Sequence, residues 1–400
     1  MALDPVFIAK LREEKFDFAF THHLDFCSIG IIHGVGIPNW GWVLSTFPFG
    51  AMLHRVGMPK LPSIMGTLIN DAPQRMSFRQ RLTNFIQTWF FELYYHTAAT
   101  TYHTETLRNA FGKDFPELAV LMEQGRMMVV NSNADIEFPI PVTSKVVFIG
   151  GLAQQQKIKP LEEPFASFIH KAKKVVLVSF GTVADSATMP QSWKDAFVHL
   201  FRGNPDINFI WKMDAEVEVP SNVLRVKWQP QNDILANDKV VAFITHAGYN
   251  SIGEVIASAT PILTVPLFGD QHRNSHLAMF RHFGVRVDKD KISFETLNEA
   301  MHMLIDDPSY LAAAKEVQAV QNAAPLSPGL KLRSAVNFTL SHPNFDREVP
   351  RLYLFQLYSL DCMALLLGIV LVVLYVVYRI LWCYYWSCCK MAYKEKVKLQ

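Results

Sequence analysis

The densest concentration of reactive side chains in the 400-residue chain lies between residues 175 and 271. Two segments there interleave hydroxyl, amide and imidazole groups with glycine. The first is Ser179-Phe180-Gly181-Thr182, at the end of the apolar run 175–180. A glycine lets backbone come close to a ligand, and the hydroxyls can donate to it. The second is Thr245-His246-Ala247-Gly248-Tyr249-Asn250-Ser251, which ends the apolar run 240–245 and opens a helical pattern. Free N–H groups at a helix start, with the dipole behind them, favour a phosphate. His246, Asn250 and Ser251 add side-chain donors. Glu254 stands four residues beyond Asn250, one turn along the same face, where a carboxylate can accept from ribose hydroxyls. Turns like the first also simply cap helices. By type alone His246 is more ordinarily a satisfied polar residue than a ligand.

Other candidates are weaker. His22, His23 and Asp25 are close together near the N-terminus and could move a proton, although adjacent histidines are commonly plain loop residues. Asp288-Lys289-Asp290 has the spacing of a metal-binding D-x-D but precedes a helical pattern and reads as a solvated turn or cap. A net charge of +2, without a basic stripe interleaved with aromatics, argues against nucleic acid as a partner. Of five cysteines only Cys27 precedes the C-terminal apolar segment, so no bridge forms within the body.

These residues need a scaffold, and the pattern supplies one. Strands are expected near 175–180, 207–211, 223–228, 240–245, 262–265 and 285–287. Helices are expected near 191–201, 232–236, 250–259, 272–283 and 295–305. Such alternation implies a parallel, doubly wound sheet, whose ligands sit at the carboxyl ends of the strands. Upstream, strands near 16–20, 40–45, 127–130 and 146–149 and helical stretches at 27–35 and 78–111 outline another α/β layer. The polar segment 153–164, with two prolines, marks the boundary between them.

Residues 362–378 carry no charge, and aromatics Trp382, Tyr384, Tyr385 and Trp386 follow the lone Arg379. A span needs about 20 apolar residues, with aromatics at the interface. Lys390, Lys394, Lys396 and Lys398 follow, so the positive-inside rule places this tail in the cytosol and the body across the membrane. The ending Lys396-Val-Lys398-Leu-Gln400 resembles a dilysine retrieval signal of the endoplasmic reticulum, and Cys383, Cys388 and Cys389 suit palmitoylation. Asn337-Phe-Thr339 is a glycosylation sequon. The first twenty residues have no apolar signal region, so the expectation is a chain without its true beginning, or a variant product.

Trp228-Gln-Pro230-Gln231-Asn-Asp-Ile234-Leu235, the His246–Glu254 stretch, Pro261 and Pro266-Leu-Phe-Gly-Asp270-Gln271 together resemble the signature of family 1 glycosyltransferases. The wider pattern, from FDFAF (16–20) through FIGGL (148–152) and VSFGT (178–182) to DDPSY (306–310), then the span and basic tail, resembles animal UDP-glucuronosyltransferases of invertebrate type. The resemblance implies a GT-B type α/β fold of two Rossmann-like domains, the first incomplete, plus a C-terminal transmembrane helix. The expected boundaries are 1–152 for the acceptor domain, 153–165 for the linker and 166–345 for the UDP-sugar domain. A connector at 346–360, a span at 361–386 and a tail at 387–400 complete it. It further implies that Trp228 stacks on uracil and Gln231 contacts the nucleoside. His246, Gly248, Asn250 and Ser251 would hold the diphosphate with Ser179, Gly181 and Thr182 facing them. Glu254 would bind ribose, and Asp270 and Gln271 the transferred sugar.

The implied reaction is an inverting, metal-independent transfer of glucuronic acid or another hexose from a UDP-sugar to a small lipophilic acceptor, with no cofactor and with oligomers among related transferases. The D-x-D has no role in that family. Two departures are visible. Ala247 stands where the animal enzymes usually have glycine. The family's general-base histidine lies upstream of the matched segment, and His22 occupies the place of its aspartate partner, with Asp25 three residues on. Turnover by the chain as given is therefore expected to be poor. The competing readings are a catalytically impaired member that keeps UDP-sugar binding or pairs with intact relatives, and a single-pass receptor-like protein with no nucleotide.

Overall fold

The structure, a computed structural model, describes residues 4–24, 26–94, 100–155, 157–345 and 352–398. It forms two compact units, Met1–Glu348 and Val349–Gln400.

The first unit contains two parallel sheets. One has four strands, β1 (Phe18–His22), β2 (Asn39–Leu44), β3 (Met127–Val130) and β4 (Val146–Phe148), in that spatial order. The other has six: β5 (Lys174–Ser179), β6 (Ile207–Lys212), β7 (Val223–Val226), β8 (Val240–Thr245), β9 (Ile262–Thr264) and β10 (Gly284–Arg286). Their spatial order is β10-β9-β8-β5-β6-β7. Strands buried on both faces read as continuous apolar runs. Val175, Val176, Leu177, Val178, Phe243 and Ile244 have no exposed surface, as that rule requires.

The order of the larger sheet decides where a ligand can sit. The chain runs outward from β5 to β7, then returns to β8 on the other side of β5. Crevices for ligands open at such a reversal, outside the carboxyl ends of the strands. Ser179 and Thr245, the last residues of β5 and β8, are paired in register. The two glycine-containing turns therefore leave the sheet side by side. The helix Tyr249–Ser258 starts there and buries Tyr249, Ile252, Val255 and Ile256 along one face.

Around the smaller sheet, the helix Cys27–Val35 joins β1 to β2, and the helix-rich stretch resolves into Phe78–Leu93 and Thr100–Phe111. The helix Phe78–Leu93 reverses the usual amphipathic logic. Its inward side chain Asn84 is wholly buried and donates to the carbonyls of Pro62 and Met65, while Phe78, Leu82, Phe85, Ile86 and Phe90 face outward. The helix Pro328–Ser341 packs Leu332, Ala335 and Val336 on Met127 and Val129 of β3. The sequon lies in this helix. Thr339 is buried with its hydroxyl donating to the Ala335 carbonyl, at 3.0 Å.

The second unit is dominated by the helix Leu360–Lys398. Its segment Leu360–Ser387 has mean hydropathy 2.7 and is long and apolar enough to cross a membrane. At about 1.5 Å per residue it exceeds a hydrocarbon layer of about 30 Å. Arg379 donates to the Tyr375 hydroxyl one turn back, at 3.3 Å. Cys383 is exposed. The side chains of Cys388, Cys389 and the lysine tail lie outside the described residues.

Candidate functional site

One cleft of about 430 Å³ opens at the switch between β5 and β8. Ser179, Gly181, Thr182, Trp228, Gln231, His246, Gly248, Asn250, Ser251, Glu254, Asp270 and Gln271 all line it. The structure thus brings into one cleft every residue that the sequence pattern and the family resemblance together nominated. They arrive from four elements: the turn after β5, the segment after β7, the helix start after β8, and the loop leading into the helix Gln271–Phe280.

The His246 ring is held between two glycines. A Cβ at Gly181 would lie 2.7 Å from the ring, and one at Gly248 would lie 2.6 Å from Nε2. Gly181 also has φ +79, a left-handed conformation natural to glycine. Ala247 adopts φ 64 with its side chain fully buried, which explains why glycine suits that position. Asn274 braces the strained turn by donating to the Ala247 carbonyl at 3.0 Å.

Burial, and then the neighbouring Lys212 cation, lower the pKa of His246 to about 4. The ring is therefore neutral at physiological pH and offers one N–H rather than a charge. Its Nδ1 lies 3.1 Å from the Thr245 hydroxyl. Because the folded pKa is below the unfolded value of 6.5, the unfolded chain takes up a proton that the folded chain refuses. Stability from this source is complete above pH 6.5 and declines as pH falls toward 4. The limit is about 3 kcal/mol, at roughly 1.4 kcal/mol per pKa unit. Urea denaturation between pH 7 and 4 should show that decline, and His246→Asn should reduce its slope, the remainder coming from His23. A slope unchanged by the substitution would contradict the neutral, buried ring.

Trp228, 69% exposed, lines the cleft on the side of β7. Gln231 donates to Glu254, whose pKa is raised by burial. Gln229 in turn donates to the side-chain oxygen Oε1 of Gln231 at 3.3 Å. At the other end, Asp270 accepts from Thr46 at 2.7 Å and from Asn274 at 2.9 Å. Gln271 is almost wholly buried, and its carbonyl oxygen accepts from the amides of Leu267 and Phe268, so its NH2 is the end that can donate to a ligand. Asn131 donates to the Asn250 carbonyl oxygen at 3.3 Å, leaving the Asn250 NH2 in the same role.

Several lining or supporting residues were not nominated from sequence. Lys212, at the end of β6, donates to the Gly181 carbonyl at 2.6 Å and lines the cleft. Only the strand order, which puts β6 beside β5, could have found it. Ser45 and Thr46 follow β2 and reach the cleft from the smaller sheet. Asn274 had a usable signal, since it stands one helical turn beyond Asp270.

The weaker candidates separate. His22 ends β1, and its Nε2 lies 3.1 Å from the Ser45 hydroxyl, which lines the cleft. His23 is buried, and burial first, then His22, lower its pKa to about 4. Asp25 lies outside the described residues. Asp288 is engaged by Arg286 at 2.8 Å and Lys291 at 3.3 Å and precedes the short turn Lys289–Lys291.

Residues 2–395 match the family model described as UDP-glucoronosyl and UDP-glucosyl transferase. UDP-glucuronosyltransferase 3A2 of Homo sapiens is 29% identical over 377 residues, 90% of this chain and 70% of that protein. UDP-glucuronosyltransferase 3A1 of Bos taurus is 28% identical over 376 residues, with the same coverage of 90% and 70%. UDP-glucosyltransferase 2 of Dactylopius coccus is 29% identical over 290 residues, 72% of this chain and 55% of that protein. Among solved structures, the spinosyn forosaminyltransferase SpnP has a TM-score of 0.59 at 17% identity, covering 85% of this chain and 79% of its own. The glycotransferase of kitacinnamycin has a TM-score of 0.57 at 19% identity, covering 84% and 79%. These two share the GT-B arrangement of parallel sheets expected from the sequence.

Proposed function

The chain belongs to the UDP-glucuronosyl and UDP-glucosyl transferase family, and we propose that it moves glucuronic acid or glucose from UDP to the hydroxyl of a small lipophilic acceptor, with inversion and without a metal. The observation that carries this reading is the convergence of all the nominated donor residues on one cleft at the strand-order switch. In this reading Trp228 stacks on uracil, Gln231 and Glu254 take the nucleoside and its ribose, and Asp270 and Gln271 take the sugar hydroxyls. Ser179, Thr182, His246, Asn250, Ser251 and the amides of the Tyr249–Ser258 helix start surround the diphosphate.

The reaction then balances simply. The acceptor oxygen bonds to the anomeric carbon as the bond from that carbon to the phosphate oxygen breaks. The electron pair leaves on UDP, where the helix start and the Lys212 cation stabilise it. The acceptor proton passes to His22 Nε2 once the ring hydrogen is on Nδ1, which in the resting structure accepts instead from the Leu24 amide at 3.4 Å. The apolar helix supports a single-pass anchor, with the lysine tail in the cytosol and the body in the lumen of the endoplasmic reticulum.

UDP should raise the melting temperature of the detergent-solubilised chain, and Asn250→Ala combined with Glu254→Ala should abolish that shift. Hydrogen bonds to charged groups are worth about 1.5–3 kcal/mol each, so losing both contacts should weaken UDP at least tenfold. A shift that survives both substitutions would refute the placement of the donor.

A further inference from the structure

The helix Gln271–Phe280 begins at the residues proposed to hold the donor sugar. Its side chains His272, Arg273 and His276 reach toward residues of the smaller-sheet side. Arg286 of β10 donates to Asp71 through both terminal nitrogens, at 2.6 Å and 2.7 Å. His276, one turn into the helix, places Nε2 2.9 Å from the same carboxylate, and His272 Nδ1 lies 3.4 Å from it. Asp288 holds the remaining Arg286 nitrogen, Nε, at 2.8 Å. Closer to the core, Arg273 pairs with Glu137 at 2.7 Å and lies 3.7 Å over the Phe47 ring.

Isolated exposed ion pairs contribute little, but a bidentate guanidinium pair within a network of charges is the exception. Asp71 is hydrogen-bonded to Arg286 and His276 of the larger-sheet side, with His272 also within 3.4 Å. It is the only described residue of its own loop to make those contacts. Its carboxyl is held far below the usual range, chiefly by the Arg286 hydrogen bonds. Removing that one carboxylate leaves Arg286 and the helix histidines without their common partner.

Resting on the donor reading above, we propose that Asp71, Arg286 and His276 form a positioning clasp that sets the sugar-holding end of the helix Gln271–Phe280 against the acceptor side of the cleft. The nucleoside residues Trp228, Gln231 and Glu254 stand on other elements. The clasp should therefore govern the sugar and not the nucleotide. A displacement of about 1 Å in a positioning element can cost large factors in rate.

The test compares calorimetric dissociation constants for UDP and for whichever of UDP-glucose and UDP-glucuronic acid the full chain binds. Asp71→Asn should leave UDP affinity within twofold while the advantage of UDP-sugar over UDP falls about tenfold. The conservative Asp71→Glu, which keeps the carboxylate, should retain most of that advantage. An advantage unchanged in Asp71→Asn, or parallel losses for both ligands with a lowered melting temperature, would overturn the clasp. A native chain that binds UDP-sugar no better than UDP would overturn it too. A native chain that binds no UDP would instead overturn the donor reading on which the clasp rests.

Discussion

Gly248→Ala should weaken UDP binding roughly 100-fold while leaving the protein folded. Gly248 has φ −58, which alanine adopts freely, so the backbone is not the obstacle. The obstacle is the His246 ring, whose Nε2 would lie 2.6 Å from the new methyl. The ring is bounded by Gly181 as well, where an added Cβ would be 2.7 Å away. It must leave its place among the phosphate donors. Overpacking of this kind costs about 1–3 kcal/mol, and about 1.4 kcal/mol is tenfold in affinity. In a His246→Ala background the same Gly248→Ala change should cost little, because the space is then empty. Calorimetric titration of UDP against the two single variants and the double variant measures the coupling. Additive losses would show that ring and glycine do not compete for space. Gly181→Ala is a poorer probe, since φ +79 strains alanine whatever the ring does.

His22→Ala should lower glycoside formation by about 10²–10⁴-fold, the usual contribution of a general base. The Nε2 of His22 faces the Ser45 hydroxyl, and the next residue, Thr46, donates to Asp270 at the sugar end of the cleft. His22 is therefore one hydrogen bond away from the cleft-lining Ser45. His23 lies beside it but is packed neutral against Phe49 and cannot reach the cleft in the same way. UDP affinity should be unchanged in His22→Ala, since no donor contact is removed. A rate within threefold of the parent would exclude His22 as the base and favour the impaired binder.

The turns at Ser179–Thr182 and Thr245–Ser251 were legible as cleft-lining because they follow apolar runs at the carboxyl side of a doubly wound sheet, whereas Trp228, Gln231, Asp270 and Gln271 were nominated only through the family resemblance. His246, Asn250 and Glu254 fall around one helix start, but by residue type His246 read as an ordinary polar residue, and only the family resemblance nominated it as a ligand. The doubt attached to Ala247 was also legible, and φ 64 supplies its cause. What the pattern could not reveal depends on partners distant in the chain. Lys212 reaches the site only because β6 lies beside β5. Thr46 reaches Asp270 only because the two sheets meet across the cleft. The helix Phe78–Leu93 looked helical from composition, but its polar inward face rests on hydrogen bonds from Asn84 to Pro62 and Met65, which no periodicity announces. Asp71 carried no sequence signal, because a lone aspartate in a loop acquires meaning only from Arg286 and His276.

The most direct test of the account mixes the full chain in detergent with EDTA, UDP-glucose or UDP-glucuronic acid, and a simple phenol. Released UDP and the phenyl glycoside are then quantified by mass spectrometry. The account predicts glycoside of inverted anomeric configuration, formed in step with UDP, however slowly, and lost in Asn250→Ala. Glycoside no higher than in the protein-free control for both donors, while UDP still binds, would contradict it.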